Sequence, residues 1–86
     1  MGNKIITEIS ELNPKAIVLD GLDEAIVGIG YSKDLEPRLV YSVVGIMDIL
    51  TKRDGMSVLE AQEFYDYNIS DGYFGEHGPI FLETYI

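Results

Sequence analysis

The chain has 86 residues, which is enough for one domain with a modest core. Fifteen acidic residues against six basic ones give a formal net charge of −9, and this charge repels nucleic acid and anionic membranes. We therefore expect no direct binding of DNA or RNA and no membrane partner. Because the chain contains no cysteine, disulfides, thiolate metal sites and a cysteine nucleophile are excluded. Its start shows no signal peptide or membrane-span pattern, which predicts a soluble cytoplasmic protein.

Aromatic residues are numerous for a chain of this size. Six tyrosines and three phenylalanines are more than one thin core can hide. Exposed aromatic side chains are typical of contact surfaces between proteins. We therefore expect self-association into a homo-oligomer, or a binding face for another partner.

The first predicted element is a helix over residues Lys4–Leu12. Ile5, Ile9 and Leu12 recur at i, i+4 and i+7, the spacing of one apolar helix face. Pro14 ends this helix, because the residue before a proline avoids the helical conformation.

A β-hairpin is predicted next. The apolar run Ala16–Leu19 is either a short strand or an extended connection, closed by the turn at Asp20-Gly21. Ala25–Tyr31 is a buried strand whose two glycines indicate a bulge or a close approach. Arg38–Tyr41 is a second strand, joined to the first by the polar link Ser32–Pro37.

Two helices then form a predicted αα-hairpin. Ser42 is a suitable N-cap for a helix over Val43–Lys52. Gly55 supplies the left-handed residue that commonly follows a helix. Ser57 and Glu60 form a capping box, which is the strongest local signal in the chain.

The second helix of the pair is predicted to reach Asn68, with Ala61, Phe64, Tyr65 and Asn68 on its apolar face. An amide on that face must be hydrogen-bonded if it is buried. Asn68 either satisfies backbone groups of the following loop or orients a ligand.

The glycine-rich segment Asp71–Pro79 is predicted to be a loop, and Ile80–Ile86 a final strand that pairs with the hairpin. The fold class is therefore α+β. A small antiparallel sheet, made of the hairpin and the C-terminal strand, packs against the αα-hairpin and an N-terminal helix.

No catalytic or metal-binding pattern emerges from the residues. The single histidine, His77, follows Glu76, without the convergent nucleophile and base that a triad requires. The acids around Asp20-Gly21 lack calcium-loop spacing and are typical of a solvated turn. We expect no catalytic residue, metal or cofactor, although Asp23, Asp54 or Glu76 could serve as a general acid or base in an enzyme.

A series of motifs resembles a family of small acidic proteins of tailed bacteriophages and prophages, for which no reaction is established. The series comprises Asp20-Gly21 with Ala25, a strand ending at Tyr41, Arg53–Met56, Phe64 with Tyr67-Asn68, Gly72–Gly75, and Pro79 with Phe81. It covers about three-quarters of the chain. The chain departs from the family pattern in two places, at the Glu-His-Gly that follows Gly75 and at the serine in position 42. His77 is therefore not expected to be a shared functional residue.

The resemblance implies a phage protein that acts in the host cell cytoplasm. Small phage proteins without catalytic residues often counter host defence by binding, so the leading hypothesis is a homo-oligomer that sequesters a nucleotide-type immune signal. The predicted ligand-binding residues are Arg53, Asp54, Tyr65, Asn68, Tyr73, Phe74 and Gly75. Arg53 would contact phosphate and the aromatic rings would stack on a base.

Two alternatives remain open. One is an acidic inhibitor that binds a host defence protein directly, as anti-restriction and anti-CRISPR proteins do. The other is a structural component of the phage.

Overall fold

The computed structural model describes residues 4–33, 35–70 and 75–85. The helices and strands in these ranges are α1 (Lys4–Leu12), β1 (Ile26–Ser32), β2 (Leu35–Ser42), α2 (Val43–Lys52), α3 (Val58–Tyr65) and β3 (Ile80–Leu82). A 3₁₀ turn at Asp23–Ala25 precedes β1, and a π-helical turn at Asp66–Ser70 follows α3. The α+β class is confirmed, and the predicted bounds of α1 and α2 are the observed ones.

The three strands form one sheet in the order β1-β2-β3. β1 and β2 are the predicted antiparallel hairpin, with Ile29 opposite Leu39. β3 pairs with β2 as predicted but runs parallel to it, with Val40 opposite Ile80, so the expectation of an all-antiparallel sheet was wrong. Two helices connect β2 to β3, and a long crossover of this kind is what a parallel pair requires.

β2 begins earlier in the chain than predicted, because Leu35–Pro37 belongs to the strand and not to the link. Prolines are unfavourable where a strand must donate a backbone hydrogen bond. β3 pairs only with residues 40–42 of β2, so Pro37 lies beyond the paired part of β3 and its missing N–H costs little. The run Ala16–Leu19 is the extended connection and not a strand.

One face of the sheet packs against the helices. Successive strand residues point to opposite faces, and Leu39 and Tyr41 point to this face with no exposed surface. Ile9 from α1 and Ile46 from α2 belong to the same buried cluster, as does Ala61 from α3. The Tyr41 hydroxyl accepts a hydrogen bond from the Leu19 amide at 2.8 Å, which joins the extended connection to the core. Burial raises the pKa of Tyr41.

The αα-hairpin forms as predicted. Ser42 Oγ accepts from the Gly45 amide at 3.0 Å and caps α2. Ser57 Oγ accepts from the Glu60 amide at 3.1 Å, while Glu60 Oε1 accepts from the Ser57 amide at 2.9 Å, so the capping box is confirmed. Gly55 has a φ of 70°, the left-handed conformation expected between the helices. None of the described helices is long and apolar enough to cross a membrane.

The apolar face of α3 is only partly as predicted. Ala61 and Tyr65 are buried, but Phe64 is 39% exposed and Asn68 is exposed. The chain continues into a π-helical turn after Tyr65, and Ile69, at i+4 from Tyr65, is the next buried residue. This spacing also belongs to one helical face, so the prediction named Asn68 where Ile69 is the core residue.

We call the other side of the sheet the outer face, which is defined by Gly28, Gly30, Arg38, Val40, Ile80 and Leu82. Val40 and Ile80 are half-buried but are not part of the core cluster, and Leu82 is 47% exposed. A Cβ at Gly30 would lie 2.6 Å from Ile80 Cδ1 and 3.1 Å from Val40 Cγ2. A Cβ at Gly28 would meet no atom within 4 Å. The predicted close approach is therefore confirmed at Gly30, where Ile80 and Val40 fill the space beside the glycine, while the space beside Gly28 is open.

Candidate functional site

Arg53 and Asp54 form a closed ion pair where α2 ends. Arg53 Nε and Nη2 donate to the two carboxylate oxygens of Asp54 at 2.9 Å and 3.0 Å, and Nη1 donates to the Gly21 carbonyl oxygen. The Arg53 hydrogen bond lowers the pKa of the Asp54 carboxyl, and the Asp54 carboxylate raises the pKa of Arg53. The guanidinium thereby ties the turn at Gly21 to the helix hairpin. A phosphate at this position would have to compete with the Asp54 carboxylate.

Tyr65 is a core residue. It is 7% exposed, and its ring meets the Phe81 ring edge-on with centroids 5.9 Å apart. Burial raises the pKa of Tyr65, and a hydrogen bond with Ser70 partly offsets this effect. A ring held in this way supports packing between α3 and the sheet, and it offers little surface for stacking on a base.

Asn68 and Gly75 lie in backbone turns. Asn68 Nδ2 donates to the Phe64 carbonyl oxygen at 3.3 Å, within the preceding helical turn. Gly75 has a φ of 79° and accepts at its carbonyl from the Gly78 amide at 3.1 Å. Tyr73 and Phe74 lie outside the described residues. Of the predicted ligand-binding residues that the structure describes, only Arg53 and Asp54 are joined to each other by side-chain hydrogen bonds.

An open slot of about 250 Å³ lies where β2 continues into α2. Val43, Val44, Glu83, Thr84 and Tyr85 line it. Tyr85 is 88% exposed and donates its hydroxyl to Glu83 Oε2 at 3.1 Å, which raises the pKa of Tyr85. The sequence missed this slot because residues 80–86 were predicted to be one strand, whereas β3 ends at Leu82.

The slot adjoins the outer face. Ser42 pairs with Leu82 at the end of the sheet, and the residues that follow them, Val43 and Glu83, line the slot. The outer face and the slot together carry aliphatic side chains, the Tyr85 ring and the charged side chains of Arg38 and Glu83. This surface is the candidate binding site of the molecule.

A second polar cluster joins three segments on the core side. Asn13 is 1% exposed, and its Nδ2 donates to the Pro37 carbonyl oxygen at 2.9 Å and lies 3.1 Å from His77 Nδ1. Asn13 Oδ1 accepts from the Lys15 amide at 3.2 Å. The Ile17 amide donates to the His77 carbonyl oxygen at 3.0 Å. From the sequence, Asn13 is recognisable only as the residue before Pro14 at the end of a helix. No local pattern predicts its contact with His77, which is 64 residues away.

Within residues 4–33, 35–70 and 75–85, no group of three or more histidine or carboxylate side chains is placed to hold a metal ion. Comparison with known proteins gives no relative: no protein-family model matches the chain, and no curated protein or solved structure matches it.

Proposed function

We propose that this chain is a non-enzymatic phage counter-defence protein, and that it acts by binding a host defence protein through the outer face of its sheet. The observation that carries the binding surface is an apolar sheet face whose side chains lie outside the core cluster. The phage assignment depends on the motif series described above, which resembles small acidic phage proteins.

The outer face has the composition of an interface centre. Val40, Ile80 and Leu82 present aliphatic groups, and burying such a side chain against a partner contributes roughly 1.5–3 kcal/mol. Gly28 on the neighbouring strand carries no side chain and has no atom near its Cβ position, so a partner can approach the backbone there, whereas Ile80 and Val40 already cover Gly30. Aliphatic residues on a flat sheet give a partner both apolar area and a defined shape.

Charge determines the kind of partner. Glu36 is exposed near the start of β2, and Glu83 lines the slot beyond β3. Arg38 lies opposite Gly30 on the outer face itself, where it opposes a basic partner. Lys52 and Arg53 are already paired with Asp48 and Asp54. With a net charge of −9, the molecule attracts a basic protein surface and repels a phosphate-rich one.

Capture from lysate of a phage-sensitive host, with matched variants as bait, tests this proposal. Leu82→Lys adds a cation on the outer face, and Leu59→Lys adds the same cation on α3, where the leucine is 70% exposed. We expect the wild type and Leu59→Lys to retain the same basic host protein, and Leu82→Lys to lose it. Raising the salt concentration should weaken retention, because the charge attraction is screened.

The two variants make the result specific to the surface. A host protein captured equally by all three baits would overturn the assignment of the outer face. Retention that is indifferent to salt would overturn the charge argument. Circular dichroism of each bait confirms that the variants are folded before they are compared.

Sequestration of a nucleotide-type signal by a homo-oligomer is the second candidate function, and the slot favours it. A volume of about 250 Å³ beside an exposed tyrosine is large enough for a nucleobase to stack on Tyr85. Glu83 repels phosphate, so the phosphate contacts would have to come from another subunit of the oligomer.

Native mass spectrometry tests both parts of this second candidate. The protein is purified from host cells in which the defence system is active. An oligomer that carries added nucleotide mass, and that loses this mass in Tyr85→Ala, would support the candidate. A bare monomer would overturn it, while leaving the capture experiment unaffected.

A further inference from the structure

We propose that Arg38 is the anchor residue of the outer face, and that it binds a carboxylate that the partner protein carries within an apolar patch. This inference deepens the proposed function, on which it rests, because it names the chemistry that the partner must present to the central strand. It follows from the position of Arg38 among aliphatic side chains and from its guanidinium, which forms no hydrogen bond within residues 4–33, 35–70 and 75–85.

Arg38 lies on the central strand of the sheet with its side chain on the outer face. It is opposite Gly30 of β1, and Val40 is its neighbour on the same face two residues later. Ile80 of β3 pairs with Val40. The Arg38 side chain is half-buried, so a charged group is placed beside the aliphatic part of this face.

The guanidinium of Arg38 has no partner in the part of the chain that the structure describes. Its Nε is buried without a hydrogen bond, and none of the described carboxylates forms an ion pair with it. Glu36 lies on the same face two residues earlier, but its exposed side chain is not paired with Arg38. A buried donor without a partner loses its hydrogen bonds to water and gains none in return. An acceptor on a bound partner would remove that cost.

The other arginine of the chain, Arg53, shows what kind of acceptor is missing. Its Nε and Nη2 donate side by side to the two oxygens of Asp54 at 2.9 Å and 3.0 Å. A carboxylate matches the spacing of these two nitrogens, so it is well suited to bind a guanidinium. Arg53 would have to give up Asp54 to bind a ligand in this way. Arg38 must turn outward to expose its Nε, but it loses no hydrogen bond in doing so.

The surroundings of Arg38 determine what carries the carboxylate. A net charge of −9 disfavours nucleic acid and other polyanions, so the carboxylate belongs to a protein whose surface is otherwise basic or apolar. The space beside Gly28, which is diagonal to Arg38 across the hairpin, is open. An aliphatic side chain next to the carboxylate can fill this space beside Val40. The partner therefore carries an aspartate or glutamate that is flanked by an aliphatic residue and surrounded by basic ones.

Capture from host lysate distinguishes this role from simple repulsion, because the two predict opposite signs. If Arg38 only opposed a basic partner, Arg38→Gln would retain that partner more strongly than the wild type. We expect Arg38→Gln to weaken retention by at least about thirtyfold, because it leaves the carboxylate of the partner buried and unpaired. Lys52→Gln is the matched control, because it removes the same charge from α2, where the side chain is 77% exposed. It should retain the host protein as well as the wild type does.

The outcomes also separate this inference from the proposed function. If Leu82→Lys loses the host protein while Arg38→Gln retains it as well as the wild type does, the outer face stands and the inference about Arg38 is overturned. If Leu82→Lys retains the host protein too, the proposed function fails. The role of Arg38 is then decided by a titration that needs no host protein.

This titration uses NMR of the wild-type protein and adds 4-methylpentanoate, a small branched carboxylate. It follows the Arg38 Nε–H signal, which is assigned by its loss in Arg38→Gln, and the methyl signals of Val40 and Ile80. We expect saturating shifts of all three with 4-methylpentanoate and none with its uncharged amide. Inorganic phosphate, which has no apolar group, should leave the methyl signals unchanged. An Nε–H signal that does not shift with the carboxylate, or equal shifts with the amide or with phosphate, would overturn the inference.

Discussion

The two faces of the central strand are built from adjacent residues and behave differently. On the helix side, Leu39 and Tyr41 are completely buried by residues from all three helices. On the outer face, Val40 between them is half-buried and lies outside that cluster. β2 therefore uses one of its faces to hold the fold together. The other face carries half-buried apolar groups outside the core cluster, and our proposal assigns that face to binding.

The largest expected difference in stability is between truncations of two neighbouring residues of β2, one on each face. Leu39→Ala should lower the free energy of unfolding by about 2–5 kcal/mol, because it leaves a cavity in a fully buried site. Val40→Ala should cost about 1 kcal/mol or less, since the side chain is already half-exposed. Urea denaturation of both variants measures the difference. Equal losses would mean that the outer face is packed as tightly as the core.

Two asparagines extend the comparison to polar groups. Asn13→Ala should cost about 1–3 kcal/mol, because the Pro37 carbonyl and the Lys15 amide lose a buried partner. Asn68→Ala should change stability by only about 0.5 kcal/mol, since its side chain is exposed. Thermal unfolding of the pair measures both effects. A larger loss for Asn68→Ala would contradict the placement of the two amides.

The close approach of Ile80 to Gly30 gives a second test of the packing on the outer face. Gly30→Ala places a methyl group 2.6 Å from Ile80 Cδ1 and should cost about 1–2 kcal/mol. Ile80→Val removes that Cδ1 atom, so the double variant should recover part of the loss. Gly28→Ala is the control, because no atom lies within 4 Å of its added methyl. Additive losses in the double variant would show that the two side chains do not meet.

The smallest expected effect is the acid sensitivity of the capping box. The Ser57 amide donates to Glu60 and lowers the pKa of that carboxyl. A lowered pKa in the folded state gives stability that is present at neutral pH and is lost as the pH falls through the folded-state value. Glu60→Gln should therefore be slightly less stable than the wild type at pH 7, and the gap should close on acidification. A gap that persists at pH 3 would contradict the charge contribution.

Local chemistry explains why much of the fold could be predicted. The helix bounds at Lys4, Leu12, Val43 and Lys52 and the capping box at Ser57 depend on residues within one or two turns of each other. The hairpin also follows from adjacent apolar runs. The direction of β3 depends on how a two-helix connection packs, which no short stretch of sequence specifies.

The candidate site was harder to predict than the fold, because it depends on which side chains meet in space. Ligand binding by Arg53 stays a prediction, and the structure pairs its guanidinium with Asp54 and the Gly21 carbonyl oxygen. Tyr65 was predicted to stack on a base, but it packs on Phe81. The outer face could have been suspected from Gly28 and Gly30, of which Gly28 stays open while Gly30 lies under Ile80 and Val40. Their partners Val40 and Ile80 become evident only from the register.

Solvent accessibility of methyl groups in the free protein tests the difference between the two faces most directly. A soluble paramagnetic agent, added to dilute protein labelled at Ile, Leu and Val methyls, broadens the NMR signals of groups that solvent reaches. We predict strong broadening for Val40, Ile80 and Leu82 and little for Ile9, Leu39 and Ile46. Equal protection of both sets would contradict the account, because it would show that the outer face is already covered in the free protein.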